Sequence, residues 1–245
     1  MINNNWNIAT LKSREIVAEN VMSLIFNLKE PLSFLSGQHV DVRITAADGY
    51  QAERSYSIAN APEQNEIVEL GVEILEDGEI SPYLFNMKIG NQIEMRGPIG
   101  KHFVWNAQMP EPLILIGGGS GMVPLMSMLR HHILNLKPDS KQKIIFLISA
   151  RTLPRVLYKK ELEKIAAADP NVKIIETLTE SAPKNWTGYA RRVDSTMLLE
   201  TIGDLKNQNP RTYVCGPNPF VAAVTNEMVA LGFDPKAIKT ERFGD

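Results

Sequence analysis

Four short stretches hold residue types that could bind a phosphorylated, aromatic ligand. Arg54-Ser55-Tyr56-Ser57 sets a guanidinium and an aromatic ring two residues apart. On a strand that spacing puts both on one face, with the serines turned the other way or to the strand end. Arg pairs with phosphate oxygens and Tyr stacks, so the two suit a ligand carrying both a phosphate and a flat ring. A cross-strand aromatic beside a surface arginine is the plainer alternative. Asp77-Gly78-Glu79-Ile80-Ser81-Pro82 reads as a helix start, with Ser81 as N-cap and Pro82 in the first turn. Such a terminus offers free amides to a pyrophosphate, although capping serines are common and most bind nothing.

Gly117-Gly118-Gly119-Ser120-Gly121-Met122-Val123-Pro124 follows an apolar run and opens a helical pattern. Glycines there permit a tight turn and close approach of a dinucleotide phosphate to the backbone, with the helix dipole behind it. Pro124 stands where the common dinucleotide fingerprint has its third glycine. A plain glycine turn is the weaker account of four glycines in five positions at a strand-to-helix junction. Cys215-Gly216-Pro217 ends an apolar strand at its C-terminal edge, where open parallel sheets bind ligands. Thr240-Glu241-Arg242-Phe243 lies almost at the end of the sequence. Taken singly, these last two read as a buried thiol and a tail.

The elements that must position these residues follow two grammars. Up to about residue 103, segments 21–28, 38–45, 52–59, 67–74 and 91–96 are rich in Val, Ile and aromatics and punctuated by turn residues, with one helical piece at 79–88. This pattern predicts an antiparallel β-barrel or sandwich. From residue 113, apolar runs at 113–116, 143–150, 172–178 and 212–215 alternate with helical patterns at 122–136, 157–168, 194–202 and 218–231. That alternation predicts βαβ units and a parallel sheet. Gln108-Met109-Pro110-Glu111-Pro112 is a proline-stiffened link between them, giving domains 1–108 and 109–245.

Composition narrows the chemistry. With 245 residues, 44% of them hydrophobic and 22% charged, the chain has room for two cores and is not a disordered sequence. A net charge of −2 gives no argument for nucleic acid, which needs a concentrated basic surface. A single cysteine excludes, within these residues, an intramolecular disulfide, a four-cysteine zinc site and an iron–sulfur cluster on its usual four thiolates. Electron chemistry would have to use a bound organic cofactor. His131 and His132 adjoin without ligand-like spacing, so no metal is expected. No apolar run approaches the roughly 18 residues of a membrane span, and Met1-Ile2-Asn3-Asn4-Asn5 does not start a signal peptide. These features predict a soluble, cytoplasmic protein.

Together and in this order, the motifs resemble the ferredoxin–NADP reductase family of flavoproteins, over nearly the whole chain. The resemblance implies an FAD-binding β-barrel followed by a Rossmann-like parallel α/β domain for a nicotinamide nucleotide. It implies that Arg54 holds the flavin phosphate, Tyr56 packs on the isoalloxazine and the Ser57 hydroxyl lies near flavin N5. Gly78 and Ser81 look like the loop supporting the FAD pyrophosphate. Gly117, Gly118, Gly119 and Gly121 resemble the site for the nicotinamide-nucleotide pyrophosphate. Cys215, Gly216 and Pro217 are similar to the element whose thiol lies beside the nicotinamide. Glu241 and Phe243 match the acid and aromatic of the segment facing the flavin, with Phe243 as a gate that yields to the nicotinamide. Phe243 is followed here by two residues, whereas in plant-type members the aromatic ends the chain.

The implied chemistry is hydride transfer from the nicotinamide to FAD. An acid near the end of the second strand would mark NAD, and an arginine NADP. Ser149-Ala150-Arg151-Thr152-Leu153-Pro154-Arg155 has no carboxylate before Glu161, which favours NADPH, with NADH as the other candidate and Ser149, Arg151 and Arg155 as ligands. Electrons would leave to a separate acceptor: ferredoxin, flavodoxin, an oxygenase component or a small molecule. Lys101, Lys159-Lys160 and Arg191-Arg192 could contribute a basic rim for an acidic partner. Two rival readings are a reductase subunit of a larger complex and a non-catalytic nucleotide-binding module.

Overall fold

The computed structural model describes residues 5–75, 77–137 and 140–244. It divides into two compact units. One runs to Ala107 and also takes Met126–Leu136; the other comprises Gln108–Leu125 and the chain from Lys137 onward. The segment 126–136, which the sequence reading put in the second domain, is grouped by its contacts with the first unit.

The first unit holds β1 (Asn7–Ala18), β2 (Val21–Leu28), β3 (His39–Thr45), β4 (Gln51–Ser57), β5 (Ile67–Glu73), α1 (Ile80–Asn86) and β6 (Gln92–Ile99). The strands form one six-stranded antiparallel sheet in the order β4-β3-β6-β1-β2-β5. Its two edges meet again just past β4, at the antiparallel bridge between Ile58 and Leu70. Alternating residues such as Leu24 and Phe26, Val40 and Val42, and Val68, Leu70 and Val72 fill the interior. That is the period of two expected of strands with one face on a core.

β1 was not among the expected strands. It is the longest strand of the sheet, but its pairing with β2 shifts register between Leu11 and Ser13 and again between Ile16 and Ala18. A bulge moves the following side chains to the opposite face, so the polar run Lys12 to Glu15 hides the alternation. Arg14 has a use of its own, donating to the Phe85 and Met87 carbonyls at the end of α1 at 2.9 and 2.6 Å. Carbonyls at a helix end have no intrahelical partner.

The second unit is built on β7 (Leu113–Gly118), β8 (Ile144–Ala150), β9 (Val172–Leu178), β10 (Arg211–Pro217) and β11 (Ile238–Phe243). All four pairings are parallel, in the order β11-β10-β7-β8-β9. Helices α2 (Met122–Leu134), α3 (Lys159–Ala168), α4 (Ser195–Ile202) and α5 (Asn218–Ala230) lie between successive strands in sequence, each preceded by β7, β8, β9 or β10. Every residue of β7 is buried, and β8 nearly so. Strands covered on both faces read as continuous apolar runs rather than alternating ones. The edge strand β11, IKTERF, is only half-buried and was legible as a motif but not as a strand.

The sheet starts at its centre. β8 and β9 extend it to one side of β7, and the chain then returns to lay β10 and β11 on the other. The strand order therefore reverses between β7 and β10. Such a switch point leaves a crevice beyond the carboxyl ends of the two strands. Leu147, fully buried on β8 among Ile114, Ile116, Val214 and the α4 and α5 side chains, tests this core. Leu147→Ala is expected to cost about 2–5 kcal/mol in urea unfolding, the range for a large-to-small change that leaves a cavity.

Candidate functional site

In the second unit the expected residues collect at the carboxyl ends of the strands. Register aligns Glu241, Cys215, Gly117 and Ile148 in one row across β11, β10, β7 and β8. One residue further, Arg242 pairs with Gly216, and Gly118 with Ser149; Phe243 then stands beside Pro217. β7 runs straight into a 3-10 turn at Gly119–Gly121, from which α2 opens at Met122.

The glycines are required by space as much as by backbone freedom. A Cβ on Gly121 would lie 2.2 Å from the Cys215 carbonyl oxygen, and one on Gly118 or Gly216 would stand 2.8 Å from the Phe220 ring. A Cβ on Gly117 would press on Met122 at 3.0 Å. Gly119 is different: its φ of +56° is in the left-handed region, and nothing lies within 4 Å of where a Cβ would be. The turn therefore packs tightly underneath and presents open backbone at Gly119. That fits a pyrophosphate approaching the main chain. Phe220, half-buried at the start of α5, was not singled out from the sequence; its only signal was its place three residues after Pro217.

Cys215 is fully buried. Burial, and then the charge of Glu241, push its thiol well above the usual range, against a backbone hydrogen bond from Gly216. Cys215 is thus a neutral thiol at any physiological pH. Burial pushes the Glu241 carboxyl up to about 7. At the other side of the sheet, Arg151 follows β8, and its backbone carbonyl accepts from Glu180 and Ser181. Its Nε lies 3.5 Å from Glu180 Oε1, both side chains being largely exposed. Glu180, two residues past the end of β9, is the carboxylate that the sequence around Arg151 did not contain. Arg155 closes the 3-10 turn Leu153–Arg155 beyond it.

In the first unit, β4 carries Arg54, Tyr56 and Ser57 opposite Val42, Val40 and His39 of β3. Tyr56 is half-buried against the barrel core, and that burial pushes its hydroxyl pKa up to about 12. Arg54 is exposed, with Nη1 donating to the Glu53 carbonyl at 2.8 Å. Ser55 points away and donates to Asp41 Oδ1 at 2.7 Å. A planar ring resting on apolar side chains, with an exposed guanidinium two residues before it on the same strand, fits a ligand having a flat ring and a phosphate. His39 is a residue that sequence reasoning missed, because only the register puts it across from Ser57. Burial lowers its pKa, although the charge of Asp41 works the other way.

The expected capping role of Ser81 is not what the structure has. The cap residue of α1 is Glu79, and Ser81 is in the first turn. Its hydroxyl turns back instead, accepting from the Leu75 N–H at 3.1 Å and reaching the Leu75 carbonyl at 3.4 Å. A side chain on Gly78 would strike this hydroxyl at 2.9 Å, so Gly78 and Ser81 belong to one tight turn. Among the described residues, no three His, Cys, Asp or Glu side chains gather as a metal site requires. Among the same residues, no helix is long and apolar enough to cross a membrane.

The acid at Glu241 has a measurable signature. Its folded pKa of about 7 exceeds the ordinary 4.5, so the folded state holds this proton more tightly than the unfolded chain. The stability it contributes is complete below about pH 4.5 and is lost as pH rises through 7. Replacing it by Glu241→Gln is expected to remove about 3 kcal/mol of that decline, read as flatter urea stability between the two ends of this window.

Residues 8–104 match the family model for oxidoreductase FAD-binding domains, and 115–226 that for oxidoreductase NAD-binding domains. The chain is 33% identical over 206 residues to one subunit of the Na(+)-translocating NADH-quinone reductase of Methylococcus capsulatus, covering 78% of this chain and 49% of that protein. It thus spans about half the length of that relative. Identity to NADH-cytochrome b5 reductase 1 of Meyerozyma guilliermondii is 30% over 209 residues, 85% of this chain and 72% of the other. In fold, it superposes on the cytochrome b5 reductase domain of Ulva prolifera nitrate reductase with a TM-score of 0.84, at 23% identity and 98% coverage of each chain. With both domain models matched in order and a relative at this identity covered over most of its length, the chain belongs to the ferredoxin reductase-like family of FAD- and NAD-binding oxidoreductases.

Proposed function

We propose that the chain takes a hydride from a nicotinamide dinucleotide, NADH in preference to NADPH, onto FAD and passes electrons to a separate acceptor. The observation that carries this reading is the row of Glu241, Cys215 and Gly117 at the β7/β10 switch point, beside the open backbone of Gly119. Bound FAD would supply hydride acceptance and the release of electrons one at a time. The protein supplies binding, orientation and exclusion of water. Arg54 holds the FAD phosphate, the Tyr56 ring supports the flavin, and Gly78 and Ser81 shape the turn for its pyrophosphate. Ser57 and His39 offer a hydroxyl and a mostly neutral imidazole that can carry a proton along the strand pair. Gly117 to Gly121 seat the nicotinamide dinucleotide, with Ser149, Gly216 and Pro217 around it. Cys215 offers an uncharged thiol, Glu241 holds a proton near neutral pH, and Phe243 is a gate.

The choice of NADH rests on Glu180. Arg151 alone would welcome the 2′-phosphate of NADPH, but a carboxylate beside it opposes that phosphate and can accept from a 2′-hydroxyl. The relatives named above are both called NADH reductases. Their names point to a quinone and to cytochrome b5, which supports an acceptor that is a separate molecule; ferredoxin, flavodoxin and an oxygenase component are alternatives. Of the basic residues considered for docking, Lys159 is engaged by Glu163 and Glu176, and Arg191 by Asp194. That leaves Lys101, Lys160 and Arg192 to attract an acidic partner. The half-length match to a reductase subunit supports a second reading, a component of a larger complex, which co-purification of another polypeptide would reveal.

The purified protein is expected to be yellow, to release FAD on denaturation and to bleach anaerobically with NADH; FMN or no flavin overturns the reading. Glu180→Gln is expected to raise the NADPH/NADH ratio of kcat/KM by roughly five- to tenfold, about 1 kcal/mol for one exposed charge close to a phosphate. Arg151→Ala is expected to move the ratio the other way. Phe243→Ala should tighten nicotinamide binding and weaken the discrimination between the two dinucleotides. An unchanged affinity and ratio would remove Phe243 from the site.

A further inference from the structure

Directly past Ser57 the chain turns inward as Ile58-Ala59-Asn60-Ala61, each residue at 1% exposure or less. A buried turn brings peptide groups inside that must find partners. The Ile58 N–H donates to the Gln38 carbonyl at 3.0 Å, and the Ala59 N–H to the Glu69 carbonyl at 2.8 Å. Asn60 Nδ2 donates to the carbonyls of Gln64 and Ile67, both at 3.1 Å, while its Oδ1 accepts from the Glu69 N–H at 2.8 Å. Two further bonds come from the 126–136 segment of the same unit. Ser127 Oγ donates to the Asn60 carbonyl at 2.7 Å, and Arg130 Nη1 to the Ala59 carbonyl at 2.9 Å.

The guanidinium is itself held. Arg130 Nη1 lies 2.7 Å from Glu69 Oε2, and Glu69 Oε1 accepts from Ser23 Oγ at 2.7 Å. Both carboxylate oxygens are therefore bonded, and one planar nitrogen serves the carboxylate and the carbonyl together. A buried ion pair is weak evidence of a need for stability, since apolar residues of similar volume often do as well or better. What apolar residues cannot do is point a fixed donor at the Ala59 carbonyl, two residues beyond Ser57.

We propose that Arg130, with Glu69 as its counter-charge, is a positioning residue for the flavin-facing end of β4. It fixes the peptide after Ala59, two residues past Ser57, and so sets where Tyr56 and Ser57 stand toward the flavin. Ser127 does the same for the next carbonyl. This rests on the FAD reading above.

The test compares wild type with three variants: the double change Arg130→Met with Glu69→Leu, the single change Arg130→Lys, and Ser127→Ala. Each is read for melting temperature, FAD dissociation constant by fluorescence titration, and visible flavin spectrum. The double variant is expected to fold and to melt somewhat lower, because the buried Ala59 carbonyl and Ser23 hydroxyl lose their partners, while its FAD dissociation constant rises about tenfold, the equivalent of one lost charged hydrogen bond, with a shifted flavin band. Arg130→Lys should recover part of that affinity, because it keeps a charged donor without the planar fork. Ser127→Ala removes only a hydroxyl and should weaken FAD by a few-fold. FAD affinity and spectrum unchanged in the double variant overturn the proposal. So does a double variant that does not fold, or that melts lower and binds FAD less well, if Ser127→Ala leaves affinity and spectrum unchanged. A wild-type protein that takes up no FAD overturns the underlying reading as well, and shows this before any variant is made.

Discussion

Gly121 rests against the Cys215–Gly216 peptide with no room for a methyl group, and much of the second unit follows from that contact. For the turn after β7 to cross the end of β10, the two strands must be neighbours, although β8 and β9 come between them in sequence. Adjacent placement requires the sheet to begin at its centre and the chain to return across it. A central strand is covered on both faces, which is why β7 is apolar throughout. The glycines at 117, 118, 121 and 216 then become the residues that let backbone, Met122 and the Phe220 ring share one small volume. Sheet order, hydrophobic pattern and glycine content are three expressions of one close approach.

The two units set acids in different surroundings. Glu69 is deep in the first unit but has Arg130 on one oxygen and Ser23 on the other. Glu241 meets burial as the dominant influence, and its proton is held toward neutral pH. Burial disfavours the charged form of a carboxyl, and at Glu241 it is the cause of the raised pKa. The first arrangement suits a group that must stay still; the second suits one that can gain or lose a proton under mild conditions. Beside Glu241, the thiol of Cys215 is kept neutral by the same burial, so this stretch of the sheet end presents no fixed negative charge from sulfur.

Much of the architecture was legible because local chemistry and global fold agree. Segments 21–28 and 172–178 were read to the residue, since a buried strand bounded by turn residues leaves little choice. The glycine run was legible for the same reason. What stayed hidden depends on which segments become neighbours. Bulges scrambled the alternation of β1, and β11 owes its strand state to β10 rather than to its own IKTERF sequence. Ser81 had the composition of a cap, but a hydroxyl can serve the chain behind it as well as ahead. His39 is 18 positions from Ser57 in sequence and Glu180 is 29 from Arg151, so their proximity exists only once strands pair.

β4 has a strand neighbour on one side only, β3, and its edge returns to the sheet at a single bridge past its end. Peptide groups in an antiparallel strand alternate sides. Since the Ile58 N–H points to β3, at Gln38, so do those of residues 56 and 54, and the main-chain groups of Ser55 and Ser57 face the open side. The edge that would be a liability for aggregation elsewhere is here a row of donors and acceptors in the same stretch as the Arg54 and Tyr56 side chains. A flat heterocycle with polar atoms along its rim could be recognised by the main chain itself. Recognition of that kind is indifferent to which side chains occupy the two serine positions, so the backbone path of this edge, more than its residue identities, would be the part of the site that drifts least.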